Sequence, residues 1–219
     1  MSLKIAALAA CLLAPSMATA QTTPTWAEAP SVADVGAAYP AKARAAGAGG
    51  TVEMMCTINR QGYAKNCWVL REKPGNYAFG SVAKKLARLL RVNDLNLHDQ
   101  DVLVAVTFNP DLLKGDASVS KPMWTAMPSV QDFQATFPKA ENGINSVRVV
   151  LACTVEVGGS LGGCAVDSET PAGHGFGQGA LALASKFRVG PWSQDGQPTV
   201  GAHLKLPIRY ELTQVAAKP

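Results

Sequence analysis

The sequence predicts an α+β protein of two tandem two-layer domains, each with helices on one face of a three-stranded antiparallel sheet. Three observations predict this architecture. The stretch PTWAEAPSVADVGAAYP at residues 24–40 recurs as PMWTAMPSVQDFQATFP at residues 122–138. A pair of cysteines 11 residues apart occurs once in each half. After each pair, two-residue periodicity changes to helical periodicity and then returns.

The amino-terminal segment, residues 1–20, is predicted to be a cleaved signal peptide. Lys4 precedes an apolar run, and ATA at 18–20 has the small-x-small pattern of a signal-peptidase site, so the mature chain is expected to begin at Gln21. One alternative is lipoprotein cleavage before Cys11, which leaves only a short apolar run. An uncleaved anchor is the other, but it needs about 20 continuous apolar residues. The mature chain is therefore expected to have no stable membrane insertion and to be periplasmic.

The repeat also predicts the domain limits. Its landmarks, Trp26 with Trp124 among them, share an offset of 98 residues, which is unlikely to arise by chance. The first domain is placed at residues 30–113 and the second at 128–213. Residues 114–127 are then a short linker.

Four cysteines remain after the signal peptide is removed, and an even number in an exported chain indicates disulfides. The equal spacing predicts one bridge in each repeat, Cys56–Cys67 and Cys153–Cys164, each across a glycine-containing hairpin turn. Zinc binding is the alternative, but neither pair has the C-x2-4-C spacing of a zinc knuckle. Redox chemistry is a second alternative.

The remaining elements follow in order within each repeat. Tyr39-Pro40 and Phe137-Pro138 are expected to open helices, since proline is tolerated in a first turn. Strict alternation then predicts a strand with one buried face in the second repeat: Val147, Val149, Leu151, Cys153, Val155 and Val157. Helical spacing predicts an amphipathic helix after each hairpin: Ala83, Leu86, Ala87, Leu90 and Ala180, Leu183, Ala184, Phe187. A last alternating strand closes each repeat, around residues 102–108 and 204–210.

These residues carry a resemblance to a known family. YPAKARAAGAGGTVEMMCTINRQGYAKNCWV at 39–69 resembles the opening of the TonB carboxy-terminal domain. ALALASKFRVGPWSQDGQPTV at 180–200 is similar to that family's helix, its Phe-x-x-x-Pro exit and its Asp-Gly turn, and LKLPIRYEL at 204–212 to its closing strand. The resemblance implies a tandem duplication of this domain. The sequence departs from the energy transducers of that family, because its amino-terminal segment is predicted to be cleaved rather than to serve as a membrane anchor and because it has no long proline-rich spacer.

The resemblance also implies a function in transport across the envelope, because the TonB domain accepts an extended peptide from an outer-membrane receptor as an added strand. Such binding needs an exposed sheet edge with unpaired backbone groups. Pro207 interrupts the last strand of the second repeat, so the preferred edge is in the first repeat. Its residues are Asp101, Val102, Leu103, Val104, Ala105, Val106, Thr107 and Phe108. Burial of that strand against the other repeat is the alternative interpretation.

Other features point to no enzyme, cofactor or metal. The glycine-rich stretch at 173–179 has neither P-loop nor G-x-G-x-x-G spacing, and a flexible loop is favoured over an anion site or an enzyme site near His174. The three histidines, His98, His174 and His203, share no metal spacing. No G-x-S-x-G is present, and no repeat-matched carboxylate pair indicates acid–base catalysis.

The formal net charge of +4 is spread thinly along the chain, and nucleic acid is not expected as a partner. KKLARLLR at 84–91 is the one basic block, predicted to be the solvated face of a helix. An acidic envelope polymer or a lipid head group is the alternative partner for it.

The sequence therefore leaves two predicted functions. The first is a periplasmic protein-interaction module that binds an extended peptide or receptor segment by strand addition. The second is a structural or regulatory envelope protein whose sheet edges are buried in the tandem or in a homodimer.

Overall fold

The computed structural model describes residues 24–136, Pro138 and residues 146–211. The predicted signal peptide and the helix predicted to open at Phe137-Pro138 lie outside the described residues. For clarity, residues 24–113 are called the first half and residues 114–211 the second half.

The first half contains five strands and three short α-helices. In chain order they are β1 (Trp26–Glu28), α1 (Val32–Ala38), α2 (Ala41–Ala46), β2 (Gly50–Ile58), β3 (Ala64–Lys73), α3 (Phe79–Ala87), β4 (Arg91–Val92) and β5 (Asp101–Phe108). Strands β3, β2 and β5 form an antiparallel sheet in that order, with β2 in the middle. Strands β1 and β4 form a separate two-stranded ribbon.

The second half has the same succession of hairpin, helix and strand. Its elements are β6 (Ser118–Val119), β7 (Trp124–Ala126), α4 (Val130–Ala135), β8 (Ser146–Val155), β9 (Leu161–Thr170), α5 (Phe176–Ala184), β10 (Arg188–Val189) and β11 (His203–Glu211). Its main sheet has the order β6-β11-β8-β9, and β7 pairs with β10. The mixed helix-and-sheet composition agrees with the predicted class.

The predicted three-stranded sheet does not describe the second half, because β6 adds a fourth strand. His203 and Leu204 of β11 pair in parallel with Ser118 and Val119. Residues 114–127 therefore contain two strands, β6 and β7, where the sequence predicts only a linker. Strands of two or three residues are too short to show a periodicity, which is why the sequence pattern misses them.

The recurring Pro-Ser-Val motif starts a helix in each half. The Ser31 hydroxyl accepts a hydrogen bond from the Asp34 N–H, and the Asp34 carboxylate accepts one from the Ser31 N–H. Ser129 and Asp132 make the same reciprocal pair at the start of α4. This capping box satisfies backbone donors that a helix start leaves without partners. In the first half the Tyr39-Pro40 motif also precedes a helix, α2.

Asp132 should make stability depend on pH in a narrow acidic range. Hydrogen bonds from Ser129, together with the Lys186 ammonium 3.1 Å away, lower the pKa of Asp132 to about 2. Since this pKa is below the value of about 3.9 in an unfolded chain, the stabilisation is present above about pH 4 and is lost as the pH falls through about 2. We expect Asp132→Asn to be less stable than the parent at pH 7, and the difference to shrink between about pH 4 and pH 2.

Urea unfolding at several pH values measures this difference. Lys121→Gln, which changes an exposed charge outside any ion pair among the described residues, is the control. A stability difference for Asp132→Asn that is the same at every pH would contradict the assignment.

Each half has its own hydrophobic core between sheet and helices. The alternating residues of β2 and β5 are buried in the first half, as predicted, and those of β8 and β11 in the second. Val157 is an exception to the predicted buried face: β8 ends at Val155, and Val157 lies in the following turn with 88% of its surface exposed. The first core also includes Trp192 and Ala202, so the second half contributes residues to the core of the first.

The two predicted disulfides are present. Cys56 is bonded to Cys67 and Cys153 to Cys164, and in each pair the Cα atoms are 4.1 Å apart across the hairpin. Cys56 and Cys153 lie on the buried faces of the central strands. Each bridge therefore joins the central strand of a sheet to the neighbouring outer strand.

Candidate functional site

Strand β5 is the outer strand of the first sheet, on the side away from β3. It pairs with β2 through eight consecutive residues without a register shift. Its even-numbered residues from Val102 to Phe108 are buried in the core. The predicted accepting residues, 101–108, thus form one regular strand whose far side faces away from the sheet.

The outward side of β5 carries the backbone N–H and C=O groups of alternate residues. Thr107 donates its N–H to the Gly196 carbonyl oxygen at 2.7 Å, and the Ala105 carbonyl oxygen accepts a hydrogen bond from the Trp192 indole at 3.1 Å. Both partners lie outside the sheet. Because the direction of backbone groups alternates along a strand, Leu103 and Asp101 also direct theirs outward.

A loop from the second half covers one end of this edge. We call residues 192–197 the capping loop. Besides the two bonds above, the Thr107 hydroxyl donates to the Asp195 carbonyl oxygen at 2.6 Å. Gly196 allows the close approach, because a Cβ there would lie 2.5 Å from the Ala105 carbonyl oxygen. The end of β5 at residues 105–107 is therefore already partly paired within the chain.

The other end of the edge lines a slot. The Leu103 N–H and C=O and the Ala105 N–H have no hydrogen-bond partner among the described residues. A cavity of about 490 Å³ adjoins these groups. Its walls include Trp26 from the first half and Met123 and Trp192 from the second. The slot thus combines unpaired backbone groups with apolar side chains.

The hairpin edges are less suited to accepting a strand. The β2–β3 ladder has two register shifts, and Asn66 of β3 has a left-handed φ of 49°. The β8–β9 ladder also has two shifts. Bulges of this kind twist a strand and interrupt its row of backbone groups, which is how sheet proteins protect exposed edges.

The outer edge of β11 is blocked in a different way. His203 directs its N–H outward to the Ala117 carbonyl oxygen at 2.7 Å, so β6 occupies this end. Pro207 lies four residues after His203 on β11, so its backbone also faces outward. Because proline has no N–H, it cannot donate a hydrogen bond to an added strand there. The proline lies where it removes no bond from the ladder with β8.

The glycine-rich stretch at 173–179 leads into α5, and a carboxylate already occupies the start of that helix. Glu169 accepts hydrogen bonds from the N–H groups of Phe176 and Gly177, both at 3.2 Å. Glu72, its counterpart in the first half, lies against the start of α3, with one carboxylate oxygen 2.6 Å from where a Cβ of Gly80 would be. Each half therefore has a carboxylate at the start of the helix that follows its hairpin, a position where negative charge is favourable.

The histidines do not form a cluster. The His98 imidazole is 3.0 Å from the Asp99 carboxylate, and the His203 ring is 3.5 Å from the hydroxyl of Thr154 on the neighbouring strand β8. Within residues 24–136, 138 and 146–211, no group of three or more histidine, cysteine or acidic side chains could hold a metal ion.

The fold and this edge define an α+β protein with a candidate strand-accepting site. Residues 35–109 match the family model described as the Gram-negative bacterial TonB protein C-terminal, so this part of the chain is similar to that domain. An uncharacterized protein of Caulobacter vibrioides is 33% identical over 63 residues, covering 29% of this chain and 63% of the relative. The chain therefore spans slightly less than two thirds of that relative's length.

The two disulfides fit a periplasmic or other envelope location, because such bonds persist in oxidising compartments. Across the part of the chain that the structure describes, none of the helices has the length and apolar character that a membrane span requires.

Proposed function

We propose that this protein is a non-enzymatic periplasmic binding module that accepts an extended peptide, or a segment of an outer-membrane receptor, as an added strand on β5. The observation that carries the proposal is the set of unpaired outward groups beside the slot, namely the N–H and C=O of Leu103 and the N–H of Ala105. The TonB C-terminal-like match over residues 35–109 supports it.

Binding at this edge uses two kinds of contact. Backbone hydrogen bonds to Leu103 and to its neighbours along β5 supply affinity that does not depend on the partner's sequence. Side chains of the added strand alternate, so every second one is directed toward the apolar walls formed by Trp26, Met123 and Trp192. The capping loop limits the length of the bound segment, since Thr107 already has a backbone partner.

The second half is proposed to have arisen by duplication of the same domain. It shares the cysteine spacing, the capping box and the helix-start carboxylate with the first half. Its own last strand is not the binding edge, because β6 and Pro207 block it. Its contribution to binding is the capping loop and one wall of the slot.

Amide hydrogen exchange tests the proposal at individual residues. In the isolated oxidised protein, the Leu103 and Ala105 amides should exchange fast, whereas those of Val102 and Val104, which pair with β2, should be protected. Adding a detergent extract of outer-membrane proteins should protect Leu103 and Ala105. Protection of both amides in the isolated protein would contradict strand addition.

A proline substitution separates edge pairing from general binding. Leu103→Pro removes one outward N–H and leaves the β2 ladder intact, so it should abolish the protection of Ala105 by the extract. Arg209→Pro makes the same change at an outward position of β11 and should have no effect on this protection. Equal loss in both variants would contradict β5 as the binding edge.

A structural protein with mutually buried edges is the second candidate. The hydrogen bonds that join the capping loop to Ala105 and Thr107 favour it, because they already cover part of β5 within the chain. Protection of Leu103 in the isolated protein, together with a dimer in sedimentation, is the result that this candidate predicts.

A further inference from the structure

A second pocket lies on the opposite side of the first sheet from β5. It is a cleft of about 550 Å³ between α3 and the start of β3. Four of its lining residues are cationic and two offer neutral hydrogen-bond donors: Lys65, Lys84, Lys85, Arg88, Asn66 and Ser81. We call these six residues the basic pocket. No acidic side chain lines it among the described residues.

Helix geometry concentrates the charges of α3 on one face. Ser81, Lys84, Lys85 and Arg88 follow the i, i+3, i+4, i+7 spacing, so they lie along the same side of the helix. The opposite side of the helix is buried in the core. The cationic face is adjacent to the first residues of β3, where Lys65 supplies the fourth charge.

These charges are not neutralised within the described part of the protein. None of the four cations forms an ion pair with a described carboxylate, and all four residues are exposed. Like charges at i, i+4, such as Lys84 and Arg88, destabilise a helix slightly. The arrangement is therefore slightly unfavourable for folding when nothing is bound.

The second half shows that the fold does not require these charges. At the positions 97 residues further along the chain, Lys65, Lys84, Lys85 and Arg88 are replaced by Gly162, Leu181, Ala182 and Ser185. Helix α5 has no basic residue in its last turn, yet it packs on its sheet as α3 does. Compensation of the helix dipole therefore does not explain the cluster, because the equivalent helix forms without it.

We propose that the basic pocket binds a compact multivalent phosphate, such as the diphosphate or phosphomonoester group of an envelope component. Lysine ammonium groups are point charges suited to phosphate oxygens, and Arg88 adds a planar donor. The Ser81 hydroxyl and the Asn66 amide can complete the hydrogen bonding. Since β5 and β3 are opposite edges of the sheet, this site leaves the strand-accepting edge open.

Titration with inorganic diphosphate tests the proposal. Calorimetry and amide chemical shifts should show saturable binding to the oxidised wild-type protein, with the largest shifts at Ser81, Lys84 and Lys85. Lys84→Gln combined with Lys85→Gln should weaken this binding by about tenfold or more, because the double variant removes two charge-assisted hydrogen bonds to the phosphate oxygens. Both side chains are exposed, so the variant should fold normally.

A control variant separates the pocket from net charge. Lys73→Gln with Lys121→Gln removes the same charge elsewhere and should change the diphosphate affinity by less than about twofold. Equal weakening in both variants, or no saturable binding at about 10 mM diphosphate, overturns the proposal.

Vesicles distinguish the two sources of phosphate. Phosphatidylcholine vesicles with phosphatidic acid should capture the wild-type protein but not the Lys84, Lys85 variant if a lipid carries the group. Binding of diphosphate without vesicle capture assigns a soluble or polymer-borne phosphate. Either result supports the pocket, provided that it depends on these lysines.

Discussion

Replacing Cys56 and Cys67 by alanine should lower the free energy of unfolding by about 2–4 kcal/mol. The bridge closes a short loop and so restricts the unfolded chain, and the domain it stabilises is small, with a correspondingly small core. Urea unfolding of the oxidised protein and the variant measures the difference. Cys56 lies opposite Val102 of β5 in the ladder, so exchange of the Val102 amide should also accelerate.

Reduction provides the control for this prediction. In the presence of a thiol reductant, the wild-type protein should lose the contributions of both bridges to the free energy of unfolding. The loss measured for the Cys56→Ala, Cys67→Ala variant and the loss measured for the Cys153→Ala, Cys164→Ala variant should together account for this decrease. Equal stability of the oxidised and reduced wild-type proteins would contradict a stabilising role for the disulfides.

Gly159→Ala should destabilise the second half by about 2–3 kcal/mol or more. Gly159 has a left-handed φ of +79°, and a Cβ there would lie 2.0 Å from the Val189 carbonyl oxygen. The substitution therefore combines backbone strain with a clash that must move β10. Gly62 occupies the equivalent turn, with a Cβ position 2.3 Å from the Val92 carbonyl oxygen, so Gly62→Ala should act similarly on the first half.

A neighbouring glycine separates the two causes. Gly158 has nearly the same φ, +80°, but no atom lies within 4 Å of its Cβ position. Gly158→Ala should therefore cost only the conformational strain, about 1–2 kcal/mol. Urea unfolding of both variants isolates the steric contribution. A loss for Gly158→Ala as large as that for Gly159→Ala would show that contact with Val189 is unimportant.

The repeat and the cysteine spacing predicted the disulfides, the hairpins and the buried faces of the central strands. These features were accessible because they depend on short-range spacing: 11 residues between the cysteines, two between strand residues, three or four between helix residues. The boundary at Val157 was wrong because an apolar residue in a turn can continue the alternation without belonging to the strand. The predicted accepting strand lies at a sheet edge, and strand addition there stays a prediction.

The candidate site was less predictable than the disulfides and hairpins, because it depends on contacts between the two halves. Neither the hydrogen bond from Thr107 to Gly196 nor the Trp192 indole on Ala105 can be read from the sequence, because these residues are almost 90 apart in the chain and belong to different repeats. The fourth strand, β6, cannot be read from the sequence either, because it lies in a segment that is predicted to be a linker. Glu72 and Glu169 occupy equivalent positions at an offset of 97 residues, but the sequence alone does not show that each lies at the start of a helix.

By itself, the sequence determined the long strands, the helix after each hairpin and which cysteines pair, because hydrophobic periodicity, turn residues and covalent spacing act over a few residues. Tertiary structure alone decided how much of the β5 edge is open, because the packing of the second half places Trp192 and Gly196 against it. It also decided that the cations of α3 and β3 line one cleft, since their meeting depends on how the helix packs on the sheet.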